Sequence, residues 1–482
     1  MYTCIRCPIG NHMEKTGTKQ RKAKKNAKRN FYELRLRIVK LLNLVIMCIP
    51  FSLVWLFYYA PKTPAPFIGM GNLLVIFLFG ILYVMFGRTY DAFLVSYNRI
   101  SEMVLSQALA VTISEFVMYI VICLLSARMV NILPLLFALL VSILLSGIWA
   151  TEAHNWYFRS FEAKKTAVVW DQMEGLDELI DSYGLDKKFN VILKPSVREC
   201  IADLSMLDGC ETVFLSGVHS HDRNIIIKYC IEKKITMFII PRIGDVLMSG
   251  AHKMHMFHLP ILRLERYHPS PEYLFVKRAF DLIMSLLGLI ILSPVLLITA
   301  LCVKRDGGPA FYKQTRLTKD GKEFNVLKFR SMRVDAESDG VARLSTGEND
   351  DRITPVGRFI RKTRLDELPQ LINILMGDMS IVGPRPERPE IAAQYEKVLP
   401  EFRLRLQAKC GLTGYAQVYG KYNTSPYDKL QMDLMYISNP SIGVDLSIIF
   451  ATIKILFMPE STEGIESGAV TAIRENHSHE DD

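Results

Sequence analysis

Residues 363–389 read TRLDELPQLINILMGDMSIVGPRPERP. Leu365, Leu368, Leu371, Ile372 and Leu375 recur at helical spacing and predict one apolar face. A helix starting near Asp366 accommodates Pro369, because the first N–H groups of a helix lack intrahelical partners. Gly377 marks its C-terminal stop. Asp366, Glu367 and Gln370 then fall off the leucine face. Asp366 becomes a candidate N-cap whose ionised form the helix dipole favours. Adjacent carboxylates beside Arg358, Arg361, Lys362 and Arg364 point to phosphate chemistry with a divalent metal. An ionised carboxylate can attack phosphorus or hold Mg²⁺. For the acidic pair alone, a capped surface helix with ordinary ion pairs is the better-supported reading.

The second half of the stretch shifts that balance. Arg385 stands between Pro384 and Pro386, which fix φ on either side and restrict the residues before them. A guanidinium held in this way suits two-point recognition of phosphate oxygens; a stiff turn with an exposed arginine is the structural alternative.

LDELPQL (365–371) followed by DMSIVGPRPE (378–387) resembles the bacterial sugar transferase family, whose members move a sugar 1-phosphate from a nucleotide sugar onto polyprenyl phosphate. The resemblance runs from Tyr273 to about Met458. It takes in KRAFDLIMSLLGLIILSP (277–294), KFRSMRVDAE (328–337), RITPVGRFIRKTRLDELPQL (352–371) and GLTGYAQVYG (411–420). It implies that Asp366 and Glu367 share catalysis and Mg²⁺ binding, with Asp366 as nucleophile and Glu367 as metal or acid–base group. Lys277 and Arg278 would meet the lipid phosphate. Lys328, Arg330, Arg361, Arg364, Pro384, Arg385, Pro386 and Gln417 would bind substrate. Where the family typically has Trp, this chain has Tyr415.

Outward from these motifs, the 482 residues allow two or three domains, half the composition is hydrophobic, and 22% is charged. A mean hydropathy of +0.18 points to apolar spans joined to a polar portion. The net charge of +9 favours acidic partners such as lipid headgroups or nucleotide phosphates. Nine scattered cysteines argue for reduced thiols, and the lone Cys4–Cys7 pair is a weak zinc signal.

A basic run between Lys15 and Arg29 precedes four apolar stretches: Leu41–Ala60, Phe67–Phe86, Met103–Ala127 and Val130–Ala150. Each is close to the ~20 residues that a spanning helix needs. The basic run reads as a cytoplasmic anchor and not as a cleavable signal or a nucleic-acid arm. Glu115, inside the third stretch, is expected to face a partner helix. Residues 164–262 alternate strand and helix patterns, with strands at Thr166–Trp170, Asn190–Leu193, Thr212–Leu215 and Thr236–Ile240, and so predict a parallel sheet. The stretch WDQMEGLDEL lacks a dinucleotide fingerprint, so a Rossmann-like module without cofactor is expected.

Basic pairs flank the apolar segment 277–303 on both sides, against the charge bias of a true span. Ser293-Pro294 supplies a helix break at which the segment can re-enter, and a kinked fifth span is the rival reading. GGPAFYKQTRLTKDGKEFNVLKFRSMR (307–333) predicts a hairpin turning at Asp320-Gly321, with Lys328, Arg330 and Arg333 candidates for an anion cradle and a solvated basic face at the membrane as the alternative. ESDGVARLSTGENDD (337–351) reads as a mobile polar stretch and Leu446–Met458 as interfacial.

The expected architecture is therefore a membrane α-helical bundle plus α/β. A basic N-terminus (1–37) leads into a four-helix transmembrane bundle (38–150). A Rossmann-like cytosolic module (151–265), a catalytic domain (273–458) with its re-entrant helix, and an acidic tail (459–482) come after it. The expected activity transfers a sugar 1-phosphate from a UDP-sugar to undecaprenyl phosphate, on the cytoplasmic face of the bacterial inner membrane. An inactive membrane scaffold and a transporter are the rivals. No nucleic-acid partner is expected; the sugar and the oligomeric state, a homodimer included, stay open.

Overall fold

The computed structural model describes residues 34–64, 69–171, 175–267, 269–305, 307–333, 352–420 and 424–457. The basic run at 15–29, the Cys4–Cys7 pair, the stretch 337–351 and the acidic tail lie outside the described residues. The chain divides into two compact units, one of residues 1–164 with 180–190 and the other of 165–179 with 191–482.

Among the described residues the first unit has four long apolar helices: α1 (Leu34–Lys62), α2 (Met70–Thr89), α3 (Ile100–Ser126) and α4 (Leu133–Ser160). All four are long and apolar enough to cross a membrane. Each runs past its apolar stretch at one end or both, because a helix goes on satisfying its own backbone after its apolar run ends. Buried aromatic residues knit the bundle, with Phe51 stacked on Phe79 at 4.3 Å between centroids. Tyr83 donates to Asn43 Oδ1 at 2.6 Å. Glu115 is only 4% exposed, turned into the bundle as a lone carboxylate must be.

Alternating strands and helices come next, most of them in the second unit: β1 (Lys164–Trp170), α5 (Leu176–Ser182), β2 (Phe189–Leu193), α6 (Val197–Ala202), β3 (Thr212–Ser216), α7 (Ser220–Lys233) and β4 (Thr236–Ile239). The sheet order is β2-β1-β3-β4, and β3 runs parallel to both β1 and β4. Ala167, Val169, Val213, Leu215, Ile226 and Cys230 form its core. Next come α8 (Ile243–Ser249) and an antiparallel hairpin, β5 (His252–Met256) with β6 (Leu259–Arg263), which the sequence pattern does not predict.

α9 (Pro271–Lys304) is next, then the hairpin β7 (Phe311–Leu317) and β8 (Glu323–Phe329), then α10 (Pro355–Lys362), α11 (Gln370–Met376) and β9 (Ser380–Val382). α12 (Pro389–Val398), β10 (Gly411–Thr413), α13 (Tyr415–Tyr419), α14 (Pro426–Ser438) and α15 (Ile442–Leu456) complete the unit. The hairpin turns where expected, with Asp320 and Gly321 both at positive φ. The core of this region includes Val246 of α8 alongside Val382, Tyr395, Leu430 and Leu434. Gln431 of α14 also donates to Pro241 O. The α/β module is thus fastened to α14 and its neighbours, although the sequence pattern separates them near residue 265.

Among the described residues α9 is the fifth helix long and apolar enough to cross a membrane, and it buries least, 11% of its most apolar window against 28–33% in the others. Its polar residues Tyr273, Lys277, Asp281 and Ser285 recur every fourth position and form one inward face. The backbone stays helical across Pro294, so the element is one helix with an internal proline and not two helices. Proline cannot donate to the carbonyl of Ile290. The Ser293 hydroxyl donates to that carbonyl instead, at 2.8 Å.

Candidate active site

The acidic pair occupies a 3-10 turn, Leu365–Glu367, ahead of α11 and not at its first turn. The reason is Pro369: it has no N–H to bond the Leu365 carbonyl, which Leu368 N takes at 3.3 Å in a tighter turn. Asp366 is therefore no N-cap. Arg364 enters the turn in the left-handed region, at φ 54°. Gly377 closes α11 at φ 96°, as the sequence indicates.

The face of α11 turned into the domain is also different from the predicted one. Gln370, Asn373 and Ile374 are buried, whereas Leu365 joins a cluster with Val303 of α9, and a Cβ on Gly288 of α9 would stand 3.2 Å from Leu371. Leu371 also packs into the domain core with Phe324, Val326 and Ile374, and polar anchors share that side. Asn373 is the main one: its Oδ1 accepts from Leu327 N and its Nδ2 donates to Asn325 O, both at 2.9 Å. That clamp sets α11 on the edge of β8, and so brings Lys328 to the acidic pair.

Lys328 Nζ donates to Glu367 Oε1 at 2.9 Å, and Arg385 Nη2 reaches the same oxygen at 3.2 Å. Asp366 makes no hydrogen bond or ion pair among the described residues. Burial pushes the Glu367 carboxyl up, but Lys328 and Arg385 outweigh it and hold the group well below the usual carboxylate range. Burial also pushes Asp366 up; Lys328 opposes, the neighbouring Glu367 charge adds to the rise, and the net shift is upward. Two adjacent carboxylates thus have separated proton affinities, the pattern by which acid, base and nucleophile roles are divided.

Arg316, Lys328, Gln370, Arg385, Pro386 and Leu412 line the cleft above Glu367. Arg385 reaches it from the turn after β9. β9 pairs with β10, where a Cβ on Gly411 would collide with the backbone of Gly383. The glycines of GLTG and of VGPRP are therefore a matched pair that lets the two turns approach.

Other cations read from the sequence have different posts. Arg330 is 7% exposed and donates to the carbonyls of Pro309, Met332 and Val303, so it ties β8 to the end of α9. Lys277 pairs with Asp445 at 3.0 Å and donates to Tyr436, and Arg278 caps α11 through the carbonyls of Ile374 and Leu375. Both side chains are thus held by protein groups where the sequence reading set a lipid phosphate against them. Arg361 donates to Ser331 Oγ at 2.8 Å, and Arg361 and Arg364 both lie within the electrostatic reach of the dyad. Gln417 donates to Leu412 O at 3.1 Å within its own turn, and its Oε1 is buried without a partner among the described residues.

Arg316 escaped sequence reasoning because nothing in the pattern of β7 distinguishes it from the other basic residues of the hairpin. It lies beside the turn, donating to Pro386 O at 3.2 Å.

Among the described residues no three or more His, Cys, Asp or Glu side chains converge. The dyad nevertheless fits a hard cation, because both contacts to Glu367 use Oε1 and Asp366 is unengaged. Mg²⁺ is commonly held by one or two carboxylates with substrate phosphates and water filling its shell.

Residues 272–459 match the family described as bacterial sugar transferase. The chain is 44% identical over 192 residues to the exopolysaccharide production protein PSS of Rhizobium leguminosarum bv. phaseoli, covering 37% of this chain and 94% of that protein. It is 41% identical over 224 residues to the UDP-glucose:undecaprenyl-phosphate glucose-1-phosphate transferase of Escherichia coli K12, covering 45% of this chain and 48% of that protein. To the UDP-N-acetylgalactosamine-undecaprenyl-phosphate N-acetylgalactosaminephosphotransferase of Aeromonas hydrophila it is 36% identical over 229 residues, covering 47% and 53%. The chain spans about half the length of these last two relatives. With the dyad, the Pro-Arg-Pro turn and the polar-faced membrane helix all inside the matched stretch, the chain belongs to the bacterial sugar transferase family.

Proposed function

We propose that this protein transfers a sugar 1-phosphate from a UDP-sugar to polyprenyl phosphate at the cytoplasmic face of a bacterial inner membrane, as the first step in building a surface polysaccharide. The carrying observation is the asymmetric dyad: Glu367 is held by Lys328 and Arg385, and Asp366 beside it is unengaged. An Asp366 oxygen attacks the β-phosphorus, the bond from that phosphorus to the bridging oxygen breaks, and UMP leaves with the electron pair. The phosphosugar is then an acyl phosphate on Asp366. A polyprenyl phosphate oxygen attacks the same phosphorus, regenerates the carboxylate and yields polyprenyl diphosphate-sugar. Lys328 and Arg385 stand where negative charge collects on the transferring group. Asp366 and the free Oε2 of Glu367 would hold Mg²⁺, which supplies charge neutralisation to the diphosphate.

The proposal includes re-entry of α9. Its first arm is held by Asp281, which accepts from Ile381 N at 2.9 Å, and its last turn by Arg330 at the Val303 carbonyl. Leu296, Ala300 and Val303 pack with Phe329 and Ile360. The start and the end of this single helix both touch the domain that carries the dyad, which supports their lying on one side of the membrane. Cysteines at Glu272 and Arg305 are expected to react with an impermeant maleimide from the cytoplasmic side alone. Labelling of the two from opposite faces would leave the lipid phosphate and the nucleotide sugar no common level at which to meet.

The activity itself is tested by incubating the purified chain with undecaprenyl phosphate, Mg²⁺ and a panel of UDP-sugars. UMP is expected with at least one donor, and no release across the panel would sink the reading.

A further inference from the structure

Four successive carbonyls of the turn that carries Arg385 each accept a hydrogen bond from a distant part of the chain. Pro384 O accepts from Gly411 N at 2.9 Å and Glu387 O from Leu317 N at 3.0 Å. The two between them are taken by arginine side chains: Pro386 O by Arg316 Nη1 at 3.2 Å, and Arg385 O by Arg405 Nη2 at 2.9 Å. Arg405 is 3% exposed. Its Nε donates to Asp433 Oδ2 of α14 at 2.8 Å, and its Nη1 stands 3.5 Å from Glu387 Oε1. The Phe402 ring stacks beneath, with its centroid 4.9 Å from the guanidinium carbon.

Taking a guanidinium and a carboxylate out of water is costly, and well-packed apolar residues of similar volume often serve stability as well or better. A buried Arg405–Asp433 pair therefore asks for a reason other than stability, and its third contact supplies one. Residue 385 has no neighbouring N–H that can anchor it, since Pro386 is next in the chain, and that proline confines it to extended conformations. The direction of its carbonyl then decides where its side chain leaves the turn. We infer that Arg405 is a positioning residue for Arg385: its planar fork, held by Asp433 and Glu387, grips the Arg385 carbonyl and so aims the Arg385 guanidinium at Glu367 and the cleft. A lysine keeps the charge but cannot bond in three fixed directions of one plane. The inference rests on the transferase reading, in which that cleft binds the donor diphosphate.

The test uses the full chain in detergent, with UDP as the binding probe by calorimetry and steady-state kinetics on an accepted UDP-sugar. Arg405→Lys is expected to weaken UDP binding about tenfold or more, the scale of one lost hydrogen bond to a charged group. The donor KM should rise in step while the polyprenyl phosphate KM stays unchanged. In an Arg385→Ala background the same substitution should add no further loss, because the group it positions is gone. A purely structural role predicts the opposite, namely equal losses in both backgrounds and on both substrates. Arg405→Met combined with Asp433→Met removes both members of the buried pair and leaves Glu387 its contact with Arg316 at 4.0 Å; it serves if the single variant does not fold, and should show the same donor-specific defect. Wild-type UDP affinity in a folded variant, or additive losses with Arg385→Ala, overturns the role of Arg405. Failure of the wild-type chain to bind UDP at all overturns the transferase reading, and the inference with it.

Discussion

Asp366→Asn is expected to abolish both UMP release and the covalent adduct when the chain is given UDP-sugar and Mg²⁺ without lipid. The wild-type chain should release UMP toward one equivalent per site, limited by hydrolysis of the acyl phosphate, and should gain the mass of a sugar phosphate. The expectation comes from Asp366 having no polar partner among the described residues, within a turn whose other carboxylate is doubly held. An amide is a poor nucleophile for phosphorus, so a loss of about 10³-fold or more, ~4 kcal/mol in the barrier, is the expected scale. Glu367→Gln should slow turnover yet leave a detectable adduct, since the role proposed for Glu367 is to hold charge and metal. Steady-state kinetics should be ping-pong. Release of UMP only when polyprenyl phosphate is present, with no adduct, would make Asp366 a ligand or base in a direct transfer.

Lys328→Met should be nearly as damaging, and its damage should depend on pH. Lys328 is the first opponent of burial at both carboxylates. At Glu367 the folded group titrates below its unfolded value of about 4.3, so it contributes stability that is present above that value and is lost as pH falls through the depressed folded pKa. With the ammonium gone, Glu367 keeps Arg385 as its hydrogen-bonded cation, and removing one partner of a buried pair costs about 3 kcal/mol. The variant should therefore melt well below wild type at neutral pH, and the gap should narrow below about pH 4 as Glu367 takes up its proton. Asp366, already raised by burial, should rise further, moving the acid limb of kcat/KM to higher pH. A variant with an unmoved acid limb and a pH-independent stability deficit would show that Lys328 acts through packing alone.

Much of the fold is legible in the residues because local physics suffices for it. The four strands of the α/β sheet fall where short apolar runs stand between turn residues, and their ends shift by no more than two residues. Likewise, Asp320-Gly321 announces a turn that only positive φ can close. Elements whose existence depends on a partner were not legible. The hairpin β5–β6 has both faces largely exposed, so it carries no alternating pattern to read. α8 owes its place to α14, far away in sequence.

By itself, the sequence singled out the candidate residues, because an acidic pair and a proline-bracketed arginine are patterns that can be read locally along the chain. It determined also that five segments are apolar enough for a membrane. Only the tertiary structure decided how the charges divide. Cations that look alike along the chain go to Glu367 in the case of Lys328 and Arg385, to backbone carbonyls in the case of Arg278 and Arg330, and to Asp445 in the case of Lys277. The reason is physical: a buried charge is set by the partner brought to it across space, by β8 lying against α11 or α9 against α15, and that partner is far away along the chain.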